Sequence, residues 1–144
     1  KDGDIVMHAG STKRHWAVAG RFIGALARVL DPGAWVFGAA DFAVEIGNVL
    51  RYPDVLLEPI GVSAPEALST TQPVLLVEVL SPTSVARDMH LKLGEYTSLP
   101  SLQCYIVASQ DEAIVWVWQR DPGTGAFPPQ PDEDGDGLPT IAGA

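Results

Sequence analysis

The most constraining stretch of the chain is residues 73–82, read in order as Pro73, Val74, Leu75, Leu76, Val77, Glu78, Val79, Leu80, Ser81 and Pro82. It is an apolar run of strand length, bounded by prolines and interrupted by one carboxylate. A strand covered on both faces reads as such a near-continuous hydrophobic run. Burying Glu78 inside it without a partner costs on the order of several kcal/mol. The fold must therefore offer that carboxylate a cation, a metal, a hydrogen-bond network or a raised pKa.

The rest of the composition fits a chain able to build such a strand. The 144 residues suffice for one domain with a full core, and 47% of them are hydrophobic. No apolar run approaches the ~18 residues that span a bilayer, which predicts no membrane association. The polar opening Lys1, Asp2, Gly3, Asp4 is not followed by the apolar segment of a signal peptide. The single cysteine, Cys104, excludes an intramolecular disulfide and suits a reducing cytoplasm, the expected location. The formal net charge of −9 argues against a broad nucleic-acid surface.

Periodicity supplies the elements. Residues 4–7 read as a short strand, and residues 9–12 as a turn offering an N-cap. Trp16, Ala19, Phe22, Ile23, Leu26, Ala27 and Leu30 then recur at helical spacing, until Asp31, Pro32 and Gly33 end the helix. Strands are predicted at 34–37, 42–46 and 51–57, with Pro53 tolerated near the start of the third. Residues 60–72 read as a loop with a helical turn near 65–68. After the strand at 74–80 comes a helix from about 85 to 97, with Val85, Met89, Leu93 and Tyr96 on one stripe. Strands at 103–108 and 113–118 form a hairpin, and a weak strand is expected near 126–127. This order predicts an α/β fold with a mixed central sheet flanked by helices. There is no glycine-rich phosphate loop, so a nucleotide-binding fold has no support.

Three polar residues interrupt or border these apolar elements. Asp54 follows Pro53 at the head of a strand, Glu78 lies within the most apolar strand, and Lys92 sits between Leu91 and Leu93 on the next helix. Two carboxylates can ligate a divalent metal, and a lysine can orient or deprotonate water or stabilise developing phosphate charge.

At these residues the chain resembles the bacterial putative restriction endonuclease family of the PD-(D/E)XK nuclease superfamily. The likeness is carried by residues 51–55 and 73–82, then Asp88, Lys92, Leu93 and Tyr96, then 99–103 running into 105–107. It extends from Gly3 to about Arg120, with Gly10, His15 and Leu26 also in place. The resemblance implies a restriction-endonuclease-like core that hydrolyses phosphodiester bonds in DNA with Mg²⁺ or Mn²⁺. Asp54 and Glu78 would be the metal ligands, and Asp54, Glu78 and Lys92 the catalytic set. His15 would be an accessory residue that contacts phosphate or a neighbouring acid. The superfamily lysine normally follows the second acid by two residues, where this chain has Leu80, so Lys92 would supply the amine from the helix. The resemblance also implies a further N-terminal stretch, with an upstream acid, before Lys1.

Each residue has a plainer reading. Asp54 is also a turn residue after proline, Glu78 and Lys92 also a structural ion pair, and Lys92 also a side chain extending to solvent. His15 is also a helix-start or core histidine, while His8 and His90 carry no specific signal. Glu45 and Glu58 could lie near the active edge of the sheet, and exposed strand positions explain them as well. Trp116 and Trp118 share a face and are expected to pack rather than stack on bases. Asp132, Asp134 and Asp136 alternate as in a calcium loop, but the expected twelfth-position glutamate is Gly143, so the segment reads as a solvated acidic turn. The domain is accordingly placed at residues 1–130, with an acidic, Pro/Gly-rich tail at 131–144. The leading expectation is a metal-dependent DNA endonuclease, with the apolar helices and the tryptophan strand suited to a homodimer. The alternatives are a catalytically inactive nuclease-fold binding module and another Mg²⁺-dependent phosphoryl transfer.

Overall fold

The computed structural model describes residues 11–81 and 86–134. The strand expected at 4–7, His8 and the calcium-like residues beyond Asp134 lie outside the described residues. Helix α1 (Lys13–Val29) is followed by strands β1 (Trp35–Ala39), β2 (Ala43–Ile46), β3 (Val49–Arg51), β4 (Val55–Pro59), β5 (Ser69–Thr70) and β6 (Leu75–Leu80). Helix α2 (Ala86–Thr97) and strands β7 (Cys104–Ser109), β8 (Val115–Gln119) and β9 (Asp132–Asp134) complete the order.

The strand expected to be central is central. A six-stranded sheet runs β1-β4-β6-β7-β8-β9, and a smaller one runs β3-β2-β5. β6 pairs antiparallel with β4 and parallel with β7, so the large sheet is mixed. The parallel pair is joined through α2, because parallel neighbours need a long crossover.

Alternation along β6 divides its side chains between two cores. Leu75, Val77 and Val79 pack with Val55, Leu57, Cys104 and Ile106 beneath Ala19, Leu26 and Leu30 at the α1 side. Leu76 packs on the opposite face with Leu56, Tyr105 and Val107 against Tyr96, Leu99 and Leu102. Of the stripe that the α1 spacing predicts, Ala19, Phe22, Ile23, Leu26 and Leu30 pack on the core, but Trp16, 68% exposed, and Ala27 face solvent, and Val18 packs in addition. The N-cap of α1 is Thr12, whose hydroxyl accepts from His15 N–H at 3.2 Å. The same hydroxyl donates to Gln110 Oε1, and Arg14 pairs with Asp111 at 2.7 Å. The start of α1 is thereby tied to the β7–β8 turn.

Several expectations need correction. The strand drawn over residues 51–57 is two strands in different sheets. β3 closes a hairpin with β2, and β4 joins the large sheet. Between them lie Tyr52, Pro53 and Asp54; Pro53 has no N–H to give a ladder, so the chain changes sheets there. The loop at 60–72 contains β5, parallel to β2. Its expected helical turn is a single turn closed by Ala67 N–H to Ala64 O. No strand forms at 126–127. Pro128 and Pro129 follow directly, and Phe127 instead lies under the Arg120 guanidinium, 4.5 Å from the ring centroid. Residues 132–134 are not a turn but pair with β8 as an edge strand. Glu58 is not exposed: it is 4% accessible.

Candidate active site

The carboxylate that interrupts β6 lies on the α2 side of the sheet. Glu78 Oε2 accepts from the Tyr96 hydroxyl at 2.8 Å, and Oε1 lies 3.5 Å from Lys92 Nζ. Lys92 is equally distant from Asp88 Oδ2, so one ammonium is shared between two acids. Asp88, Lys92 and Tyr96 recur every four residues and therefore share one face of α2. Burial is the main cause that raises the Glu78 pKa above its ordinary value of 4.5. Lys92 opposes that shift, and Asp54 adds to it. Tyr96 is fully buried, and its hydroxyl pKa is pushed upward by burial and by Glu78, so it remains a donor.

Asp54 reaches the same region by another route. Continuing the β4–β6 register by one residue sets Asp54 opposite Glu78. Its backbone N–H donates to Val77 O at 3.0 Å. Where β4 has ended, the Asp54 side chain replaces the missing strand: Oδ2 accepts from Val79 N–H at 2.7 Å. Proline thus ends the backbone ladder, and the carboxylate after it is held by the next free amide of β6. His15 Nε2, from the first turn of α1, lies 3.3 Å from the same Oδ2.

The structure therefore brings together all four residues singled out from the sequence: Glu78 with Lys92, Asp54 with His15, and the two pairs joined through the residues of β6. Leu80, at the usual lysine position, packs against the α2-side core. Tyr96 was read as part of a helix stripe, and its contact with Glu78 was missed. The signal was its four-residue spacing from Lys92 on the face turned toward β6. Trp118 packs as expected, stacked on Tyr105 with centroids 5.7 Å apart.

Among the described residues, no group of three or more His, Cys, Asp or Glu side chains is arranged to hold a metal ion. Two carboxylates are nevertheless a sufficient protein contribution for Mg²⁺, which completes its shell with water and phosphate oxygens. A buried carboxylate whose pKa is raised partly by a second acid is also the donor chemistry that a cation relieves. Asp54 and Glu78 fit a divalent ion on that basis.

The fold is α/β, a mixed sheet with a helix on each face, and it carries acids at the head of one strand and within its neighbour. The chain belongs to the Uma2 family, whose model, described as "Putative restriction endonuclease", matches residues 1–141. A similar protein is the "Uncharacterized protein slr1290" of Synechocystis sp. (strain ATCC 27184 / PCC 6803 / Kazusa), 30% identical over 122 residues. That match covers 83% of this chain and spans 64% of the relative's length. Among solved structures, "a putative nuclease belonging to DUF820" from Anabaena variabilis ATCC 29413 has the same fold, with a TM-score of 0.72 at 15% identity. The match covers 94% of this chain and 75% of that one. No helix among the described residues is long and apolar enough to cross a membrane.

Proposed function

We propose that this protein is a metal-dependent endonuclease that hydrolyses phosphodiester bonds in DNA. Family membership supports nuclease chemistry and a nucleic-acid substrate. The observation that carries the residue assignment is the approach of Asp54, just before β4, to β6, where Glu78 meets Lys92 of α2.

Asp54 and Glu78 would hold Mg²⁺ or Mn²⁺, which supplies Lewis-acid polarisation of a phosphoryl oxygen and a more acidic water. The chain's own residues have separable tasks. Tyr96 fixes one Glu78 oxygen and leaves the other turned toward Lys92. The Lys92 ammonium, only loosely engaged at 3.5 Å by each of two acids, is free to exchange one of them for a phosphate oxygen. Val79 N–H orients the Asp54 carboxylate, and His15 supports it from α1. Leu80 beside the site helps keep water out of the core behind Glu78.

Nicking of supercoiled plasmid with Mg²⁺ or Mn²⁺ tests the assignment. Wild type is expected to cut, and Glu78→Ala to lose at least ~10²-fold in rate, the scale of removing one group that stabilises transition-state charge. Equal cutting by both proteins, or none by wild type on varied DNA substrates, would remove the catalytic claim.

One observation favours the non-catalytic reading. Each Glu78 oxygen already faces a partner within the chain, as in a structural ion pair. Calorimetry with Mn²⁺ separates the two: a site takes up the ion with micromolar-to-millimolar affinity, and a sealed pair takes up none. Cutting both strands of a duplex would favour a homodimer, and gel filtration of the purified chain decides that point.

A further inference from the structure

Helix α2 is held to the fold by more than its apolar stripe. Arg51, the last residue of β3, donates from Nε and Nη2 to the two carboxylate oxygens of Glu95 on α2, at 2.7 and 2.9 Å. Both side chains are largely withdrawn from solvent, 26% and 18% exposed. Two parallel bonds between a planar guanidinium and a carboxylate fix orientation as well as distance, which a lysine ammonium does not.

Strand register explains how this fork forms. Val44 of β2 stands opposite Arg51 and is fully buried in the core that contains Tyr96. Residues directly opposite share a face, so the Arg51 side chain leaves the small sheet on the side turned to α2. Glu95 sits in the last turn of that helix, which carries no basic residue of its own. The helix dipole disfavours an acid there. The cation that answers it comes from another sheet.

The two ends of the fork stand beside the two halves of the candidate site. Arg51 is three residues before Asp54, across a connection stiffened by the buried Pro53. Glu95 is three residues after Lys92 and one before Tyr96, on a neighbouring stripe of the same helix. Met89, Leu93 and Tyr96 pack α2 on the core, but apolar contact has no direction and lets a helix roll. Lys92 holds Glu78 only loosely, at 3.5 Å, and does not stop such a roll. A largely buried ion pair adds little net stability over an apolar pair of the same shape; its best-attested use is to select one arrangement.

We propose that Arg51 and Glu95 are positioning residues: their fork fixes the roll of α2, and with it the approach of Lys92 and Tyr96 to Glu78. The clamp follows from the fork and the helix alone; its consequence for cleavage rests on the nuclease reading.

The double variant Arg51→Met/Glu95→Met, an apolar pair of similar reach, tests the clamp. Its urea unfolding midpoint is expected to stay near that of wild type. Its kcat for plasmid nicking with Mg²⁺ is expected to fall at least ~tenfold at unchanged KM, since a misplacement of about 1 Å can cost on the order of 10²-fold. Tyr96→Phe is expected to shift the unfolding midpoint of the methionine pair by less than about half its shift in wild type, because the hydroxyl is no longer held on Glu78. An undiminished Tyr96→Phe shift would overturn the clamp, and so would nicking by the methionine pair at the wild-type kcat. If wild type cuts no DNA, the nuclease reading fails, and the Tyr96→Phe comparison alone decides the clamp. Should the methionine pair fail to fold, Arg51→Lys, which keeps the charge and loses the fork, carries the same readouts.

Discussion

The two faces of β6 are built from one strand but solve different problems. Toward α1, Leu75, Val77 and Val79 meet a core of aliphatic side chains and the thiol of Cys104. That thiol is so enclosed that its pKa is pushed up to about 12. Toward α2 the neighbours include Tyr96, Tyr105 and Trp118, and Glu78 stands among them. The α1 face maximises apolar burial. The α2 face accepts a destabilising carboxylate and holds it with a tyrosine hydroxyl and a lysine. Aliphatic packing dominates one face, and the charged groups are placed on the other, as expected where a rigid scaffold must position charged groups.

Substitutions at matched positions probe this contrast. The largest stability loss is expected on the dry face. Leu57→Ala should cost about 2–5 kcal/mol in urea unfolding, through lost burial and the cavity left behind. Under the proposed function, its cleavage per folded molecule should stay near wild type. An unfolding midpoint that hardly moves would show that the α1 face is not the main source of stability.

Next in size is the effect of hydrogen bonding to Glu78. Tyr96→Phe keeps the ring packed against Tyr105 but removes a donor to a buried carboxylate. A loss of about 1.5–3 kcal/mol is expected near neutral pH, the range for hydrogen bonds to charged groups. The loss should shrink in a Glu78→Gln background; a double-mutant cycle measures the coupling, and strict additivity would sever the two residues.

The Glu78 charge should also show in the pH dependence of stability in chelator-treated protein. Its folded pKa is raised above 4.5, so the folded state holds the proton more tightly than the unfolded chain. The group's contribution is therefore fully present below about pH 4.5 and is lost as pH rises through the folded pKa. Glu78→Gln removes this dependence and should gain stability relative to wild type across that window. Parallel curves for the two proteins from pH 4 to 8 would show that burial does not govern Glu78.

The smallest effect is expected at the tie between α1 and the β7–β8 turn. Arg14 and Asp111 are both largely solvated, with side chains 72% and 49% exposed. Asp111→Asn should change stability by about 0–1 kcal/mol, less at high salt. A larger loss would mean that this contact, and not the Thr12 cap, sets where α1 and His15 lie.

Much of this architecture was legible in residue order. The run at 73–82 announced a strand buried on both sides, and the helical spacing from Ala19 to Leu30 announced α1, because apolar periodicity follows a buried face, although Trp16 and Ala27 of that series are exposed. Asp54, Glu78 and Lys92 stood out because polar groups within apolar elements require partners. Other features left no local trace. Glu58 looked like an ordinary strand carboxylate, and its burial beside the Ser63 hydroxyl shows only in the fold. Residues 132–134 looked like a solvated acidic turn, and only the open edge of β8 makes them a strand. The break at Pro53 was visible, but the change of sheet was not, since proline states that a ladder is interrupted and not where the chain goes next.

By itself, then, the sequence determined that a carboxylate would lie within a doubly covered strand and which residue types stood ready to meet it. Tertiary structure decided how it is met. The register of β4 against β6 sets Asp54 opposite Glu78, and the crossover through α2 turns Lys92 and Tyr96 onto its two oxygens. The physical reason is range. Burial preference is written into each segment, whereas the partners of Glu78 and Asp54 come from segments at least 14 residues away, whose approach depends on how the whole sheet is ordered.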